Sequence, residues 1–434
     1  MKTKKPRNPD HVRPRRQPGP SDEVIAGQLA DLLTPLLHNQ MSLYRQLDLR
    51  SRILGLPLMV AAVLTLLWRQ VPSVHELTRL LAREDLLWCR AVRVSQQALS
   101  KRFLVFPAEL FERVLKDLLP LLRERWQARP KRPVPVAVKV AQQTFKHIWI
   151  VDGSTLEALF RKLDSLQDVP LGQLAGKIGT VIDLVTRFPV EIWYREGAKD
   201  HDTNFMTEIV ALIKTSKPLL LFDRGFYDFS FFAQVIDTGA HFITRLKNNA
   251  SFRVERVLSH TTEVIDSLIV LGGGPNGQPL LHLRLVQVKV GRVWYGYLTS
   301  VLDPAVLPPY VVADLYRRRW RIEEAFSTVK RLLGLAYLWT GSINGVLLQV
   351  WATWLFYATL VDWGDAVADE IGVPFDRISL EMLYRGLYHF TQARAKGKAT
   401  DPVKYFADPE NQDLGVVKVL RKPPTKLDLS PYPI

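Results

Sequence analysis

The sequence predicts an α/β protein in which an all-helical region precedes a sheet-forming core, and a long run of strands precedes the last amphipathic helix of that core. Three observations predict it. From about 22 to 128 apolar residues recur with helical spacing. From about 145 the pattern turns to short apolar runs closed by Asp and Gly, HIWIVDG and LLLFDRG. Strand-forming segments then follow one another almost unbroken from 241 to 301, before an amphipathic helix over 315 to 334.

Residues 1–20 are rich in Pro and basic residues and read as a disordered arm suited to phosphates. No apolar core marks the start as a signal peptide. Residues 21–130 form the helical domain. Within it, 74–103 reads as short helices joined by a tight turn, with Ser95 capping QQALSKRF and Lys101 and Arg102 on the exposed side. That pattern suits a helix-turn-helix DNA reader, and equally an ordinary helical bundle. Pro130, Pro133 and Pro135 end the helices and make a linker.

The sheet core occupies 145–240 and 306–400. Its strands are HIWIVD, a pair around a turn at Arg187–Pro189, and KPLLLFD followed by a helix through YDFSFFAQVIDTG. Residues 241–305 read as an almost unbroken run of strands, with the glycines of LGGGPNGQP in a hairpin or long turn. Residues 401–434 read as a loop-like tail. Two apolar runs, 54–68 and 346–363, read as buried helices: the first is short and carries Pro57, and polar residues interrupt the second.

The chain has 434 residues, with 58 Lys and Arg against 43 Asp and Glu, a net charge of +15. So basic a balance favours a polyanionic partner, nucleic acid before an acidic membrane surface. The single cysteine, Cys89, excludes a disulfide framework and a cysteine-ligated zinc site.

Asp152 and Asp223 each follow four apolar residues and precede a glycine by one or two positions. A buried strand delivers such a residue to the carboxyl edge of a sheet, where open α/β folds build their sites. On the helix 315–334, Leu315, Ile322, Phe326, Val329 and Leu333 make one stripe. Tyr316, Arg319, Glu323 and Lys330 share a narrow face beside it, within about 60° of one another. If the helix packs on the sheet, Glu323 joins the two aspartates. Three converging carboxylates repel unless a cation neutralises them, and two Mg²⁺ or Mn²⁺ ions suit an all-oxygen set. Such a pair can activate a nucleophilic oxygen and stabilise the leaving oxygen of a phosphodiester. Arg319, Lys330 and Tyr316 would then hold DNA phosphates. Arg245 and Lys247, on one side of FITRLKNN, face DNA or solvent.

Tyr316, Arg319, Glu323 and Lys330 match Y-x2-R-x3-E-x6-K, and IVDGSTL and FDRGFYD look like the two aspartate motifs that accompany it. In these the chain resembles bacterial cut-and-paste DDE transposases of the insertion sequence four family, over about 145 to 390. The resemblance implies an RNase H-like catalytic core with a β-rich insertion, and Asp152, Asp223 and Glu323 holding two divalent metals. It implies cleavage of terminal inverted repeats in double-stranded DNA and joining of the ends to target DNA, by a homodimer in the bacterial cytoplasm at the nucleoid. In a relative, a tryptophan of the insertion stacks on a flipped base; by order and spacing Trp294 is the nearest candidate. The family pattern also carries an aspartate after His201, so Asp202 is either a supporting group or a loop cap. A non-catalytic DNA-binding descendant, and a nuclease of this fold without strand transfer, stay open beside the transposase reading.

Overall fold

The computed structural model describes residues 22–47, 53–71, 73–156, 176–197, 200–273, 277–335 and 342–419; the basic arm lies outside them. Six helices come first: α1 (Asp22–Gln46), α2 (Leu56–Trp68), α3 (Val74–Arg83), α4 (Gln96–Val105), α5 (Ala108–Gln127) and α6 (Val136–Gln142). There follow β1 (Ile148–Thr155), β2 (Lys177–Asp183), β3 (Pro189–Arg195), α7 (Met206–Ser216), β4 (Leu219–Phe222), α8 (Phe229–Asp237) and β5 (His241–Arg245). A meander, β6 (Phe252–His260), β7 (Val264–Leu271), β8 (Leu281–Val290) and β9 (Val293–Thr299), leads to α9 (Pro309–Arg318), α10 (Arg321–Ser327), α11 (Ile343–Ile371), α12 (Leu380–Ala395) and α13 (Pro402–Ala407).

The described strands form one mixed sheet in the order β3-β2-β1-β4-β5-β9-β8-β7-β6. The central strands β1, β4 and β5 are parallel, and all other neighbours are antiparallel. β4 is buried along its whole length, as its LLLF sequence requires of a strand covered on both faces. The segment 241–305 is therefore not a detached insertion. β5 lies beside β4 with Phe242, Ile243 and Thr244 buried, and the meander extends the same sheet through β9.

Neither is the helical region a separate body. α11 is long and apolar enough to cross a membrane by length and composition alone, yet most of it is buried in the fold, where it packs along α5 and against α2. Tyr384 of α12 donates to the Trp68 carbonyl at 2.6 Å. The proline-rich connection is an anchored strap: Arg129 meets Asp362 at 2.8 Å and Asp365 at 3.0 Å, and Arg132 meets Asp365 at 2.6 Å. Asp362 is fully buried and also pairs with Arg125 at 2.9 Å. Removing one partner of such a group strands the others, so Asp362→Ala is expected to cost about 3–5 kcal/mol of stability. Urea denaturation would show it, and an unchanged midpoint would refute it.

Four further expectations need correction. α3 and α4 are joined not by a tight turn but by residues 84–95, which fold through a Leu86–Cys89 bridge. Ser95 does cap α4, accepting the Ala98 N–H at 3.2 Å. Arg102, expected on the exposed side, is 8% exposed. It shares the inward face with Leu99 and Phe103, donates to the Tyr44 hydroxyl at 2.6 Å and the Leu54 carbonyl at 3.2 Å, and lies over Phe106. Lys101 remains exposed. The helix expected over 315–334 is interrupted at Arg319–Trp320 and ends in a π-helical turn, Thr328–Leu332. The tail is not wholly loop: Asp401 caps α13, and Phe406 is buried beneath α12.

Candidate functional site

β1 and β4 run side by side with Val151 opposite Phe222. The next residues, Asp152 and Asp223, therefore stand together where the two strands part, about one strand spacing from each other. β4 ends there and its chain turns at once, the Asp223 carboxylate accepting the Gly225 N–H at 2.6 Å. β1 does not stop at Asp152 as the sequence suggested. It continues to Thr155, paired only with β2, so that beyond Val151 its other edge is open. Asp152 is 6% exposed, and Asp223 is half-buried.

α9 and α10 bring the third carboxylate. Their apolar stripe, including Leu315, Ile322 and Phe326, is buried in the main core, and α10 rests against β1. Arg319 stands at the break between the helices. Its guanidinium is 2.9 Å from Asp152 Oδ2 and 3.9 Å from Glu323 Oε1. Sequence reasoning assigned Arg319 to a phosphate; here it bridges the carboxylates. Lys330, carried by the π turn, donates its ammonium to Ser154 Oγ. Burial lowers its proton affinity, while Glu323 and Asp152 pull the other way. Arg319 thus meets Asp152, Lys330 meets Ser154 two residues on, and the Glu323 charge acts on Asp152.

Burial pushes the Asp152 carboxyl up to about 7; Arg319 and the Gly153 N–H oppose that, and the charges of Asp223 and Glu323 add to it. The carboxylates sense one another, but no three His, Cys, Asp or Glu side chains among the described residues are gathered as a ready metal cage. Arg319 places a positive charge between Asp152 and Glu323. The donor set itself fits a hard divalent ion: three carboxylates that repel one another, with burial raising the proton affinity of Asp152.

Tyr316 is buried with its ring 5.3 Å from that of Tyr297; burial raises its hydroxyl, Arg319 opposes this, and Asp223 adds to it. Arg245, at the end of β5, lies over Tyr295 at 5.3 Å, and Lys247 over Tyr227 at 4.8 Å. The Nε–H groups of Arg245 and Arg319 are buried without an acceptor. Trp294 lies elsewhere, opposite Lys289 near the β8–β9 hairpin tip. Strand alternation puts it on the other face of β9 from Tyr295 and Tyr297, which look towards Tyr316. Lys101 and Arg102 are in α4, where Lys101 is exposed and Arg102 binds Tyr44 and Leu54. The site is an open sheet edge; a cavity lined by Trp126, Arg132, Arg187 and Asp376 shares none of its residues.

One contributor had only a faint signal in sequence. Asp202 pairs with Lys177 at 2.7 Å and reaches the turn that holds Asp223: a Cβ on Gly225 would be 2.8 Å from Asp223 Oδ1 and 3.1 Å from Asp202 Oδ2.

Two comparisons bear on this geometry. "Putative transposase y4zB" of Sinorhizobium fredii (strain NBRC 101917 / NGR234) is 26% identical over 168 residues, 38% of this chain and 45% of that protein, so the match spans less than half of the relative. Residues 146–357, just under half of the chain and including Asp152, Asp223, Glu323 and Lys330, match the family described as "Transposase DDE domain", and it is to that domain that this part of the protein is similar.

Proposed function

We propose that the protein is a cut-and-paste DNA transposase of the insertion sequence four type, with Asp152, Asp223 and Glu323 as its catalytic carboxylates. The observation that carries this reading is the meeting of Asp152 and Asp223 at the parting of β1 and β4, with Arg319, Glu323 and Lys330 turned onto them. The order β3-β2-β1-β4-β5, with β1, β4 and β5 parallel, supports an RNase H-like core. The three carboxylates would hold divalent ions, which when bound supply Lewis-acid activation of an attacking oxygen and stabilisation of a leaving one.

The chain's own residues do the rest. Arg319 offsets the carboxylate charge, and its buried Nε–H, like that of Arg245, has no acceptor among the described residues. Tyr316 lies beside Arg319 and Asp223 with its hydroxyl protonated. Lys330, braced by Ser154, adds positive charge beside Glu323. These groups suit the phosphates flanking a scissile bond in double-stranded DNA. Exposed Lys101 on α4 suits a second contact with the duplex. Two copies acting on two ends, in the bacterial cytoplasm, complete the reading.

The test is a plasmid carrying the DNA that flanks the coding region, incubated with the full chain and Mg²⁺ beside a target plasmid. Transposition predicts cleavage at inverted repeats and joined products. Cleavage without joining would favour a nuclease of the same fold. Binding without cleavage in either Mg²⁺ or Mn²⁺ would favour a non-catalytic descendant.

A further inference from the structure

We propose that Asp202, held by Lys177, is a positioning residue for the Asp152–Asp223 pair; the inference rests on the reading of that pair as the cutting centre. The turn beginning Asp202–Phe205 lies flat on β1 and β2 at a place cleared by two glycines, Gly153 and Gly179, which face each other in the register. Phe205 is fully buried over Gly179, where a Cβ would lie 2.7 Å from its ring. Asp202 fills the other half of the clearing. A Cβ on Gly153 would lie 1.9 Å from Asp202 Oδ1, so any other residue after Asp152 would expel the Asp202 carboxylate.

The other end of that carboxylate reaches Gly225, whose N–H holds the Asp223 carboxylate. Asp202 therefore wedges between the residue that follows Asp152 and the turn that fixes Asp223. Lys177 is itself buried; it donates to the Asp200 carbonyl at 2.6 Å and forms an ion pair with Asp202 at 2.7 Å. It offsets the charge of Asp202 locally, so this fourth carboxylate adds shape to the site without adding net repulsion. Its effect reaches the chemistry through the backbone of Gly153 and Gly225.

Four variants of the full chain test this: Asp202→Ala, Asp202→Asn, Gly153→Ala and the double variant Gly153→Ala/Asp202→Ala. Three readouts are taken: single-turnover cleavage at saturating DNA, DNA affinity, and calorimetric titration with Mn²⁺ alone. Outer groups that orient ligands typically contribute about 10–100-fold to metal affinity or rate. Asp202→Ala is expected to lose that much in both cleavage rate and Mn²⁺ affinity, with DNA affinity unchanged. Asp202→Asn keeps the shape and an acceptor for Lys177, and should stay near the parent. Gly153→Ala should match Asp202→Ala, and the double variant should be no worse than either, since removing the carboxylate makes room for the methyl.

Parental behaviour of Asp202→Ala, multiplied losses in the double variant, or Asp202→Asn failing as badly as Asp202→Ala would each overturn the proposal. The last would mean that the charge itself acts on metal or substrate. Should Asp202→Ala not fold, Lys177→Gln replaces it with the same expectations. Asp223→Ala separates the two levels of argument. A parent that cuts, with Asp202→Ala cutting equally well, removes only this inference. A parent that neither cuts nor binds Mn²⁺ removes the cutting centre and the inference together.

Discussion

Asp223→Ala, Asp152→Asn and Glu323→Gln are each expected to lower strand cleavage by about 10³-fold or more while leaving DNA affinity nearly intact. A cation held at a developing charge contributes several kcal/mol to a transition state, and each 1.36 kcal/mol is a factor of ten. Asp223 is the cleanest of the three. It is half-buried, and its carboxylate accepts a hydrogen bond from a turn N–H, so its removal leaves no ion-paired cation stranded among the described residues. Asp152 is less simple, because Arg319 leans on it at 2.9 Å. Asparagine keeps an acceptor for that guanidinium, whereas alanine would confuse lost chemistry with lost packing. Gel assays of nicked and joined DNA, with melting curves on each variant, give the answer. An Asp223→Ala protein that cuts at the parental rate would end the assignment.

The second large effect is a coupling between pH, divalent metal and stability. The Asp152 carboxyl lies at about 7 in the folded protein against 3.8 as its ordinary value. Between those values the folded state holds a proton that the unfolded chain has released. Its contribution is fully present below about pH 4 and is lost as pH rises through about 7. A divalent ion needs the carboxylate, so its affinity should climb with pH to about 7 and then level off. Without metal, the protein should lose stability from pH 5 to pH 8. Mn²⁺ should restore it at pH 8 and do little at pH 5, since a ligand stabilises only the state it binds. Asp365, raised by burial to about 6, acts in the same direction, so Asp152→Asn isolates the share due to the site. Equal metal-induced shifts of the melting temperature at pH 5 and pH 8 would contradict the linkage.

The carboxylates could be found in sequence because each sits where a strong local rule changes. Asp152 and Asp223 follow unbroken apolar runs, and such runs become buried strands whose ends lie at a sheet edge. Glu323, Arg319 and Lys330 could be grouped because helical geometry fixes which residues share a face, and the break at Arg319–Trp320 did not destroy that grouping. What stayed hidden were pairings across the chain. Arg319 reads as a phosphate ligand until Asp152 is seen 2.9 Å away. Arg102 reads as surface until Tyr44 and Leu54 claim it. Asp202 reads as a loop cap until Gly153, 49 positions earlier, is found to leave it room. In each case the partner lies far off in sequence, and no periodicity announces it. Strand order is hidden in the same way: β5 and the meander read as an insertion because nothing in HFITR says that it will pair with LLLF.

The embrace of α5 and α2 by α11 has a consequence for how the protein is made. α2 and α5 leave the ribosome with their apolar sides ready, and the helix that covers them is synthesised more than two hundred residues later. At roughly 5–20 residues per second that interval is on the order of tens of seconds. Throughout it the nascent chain carries an uncovered apolar surface, the kind of surface that chaperones bind.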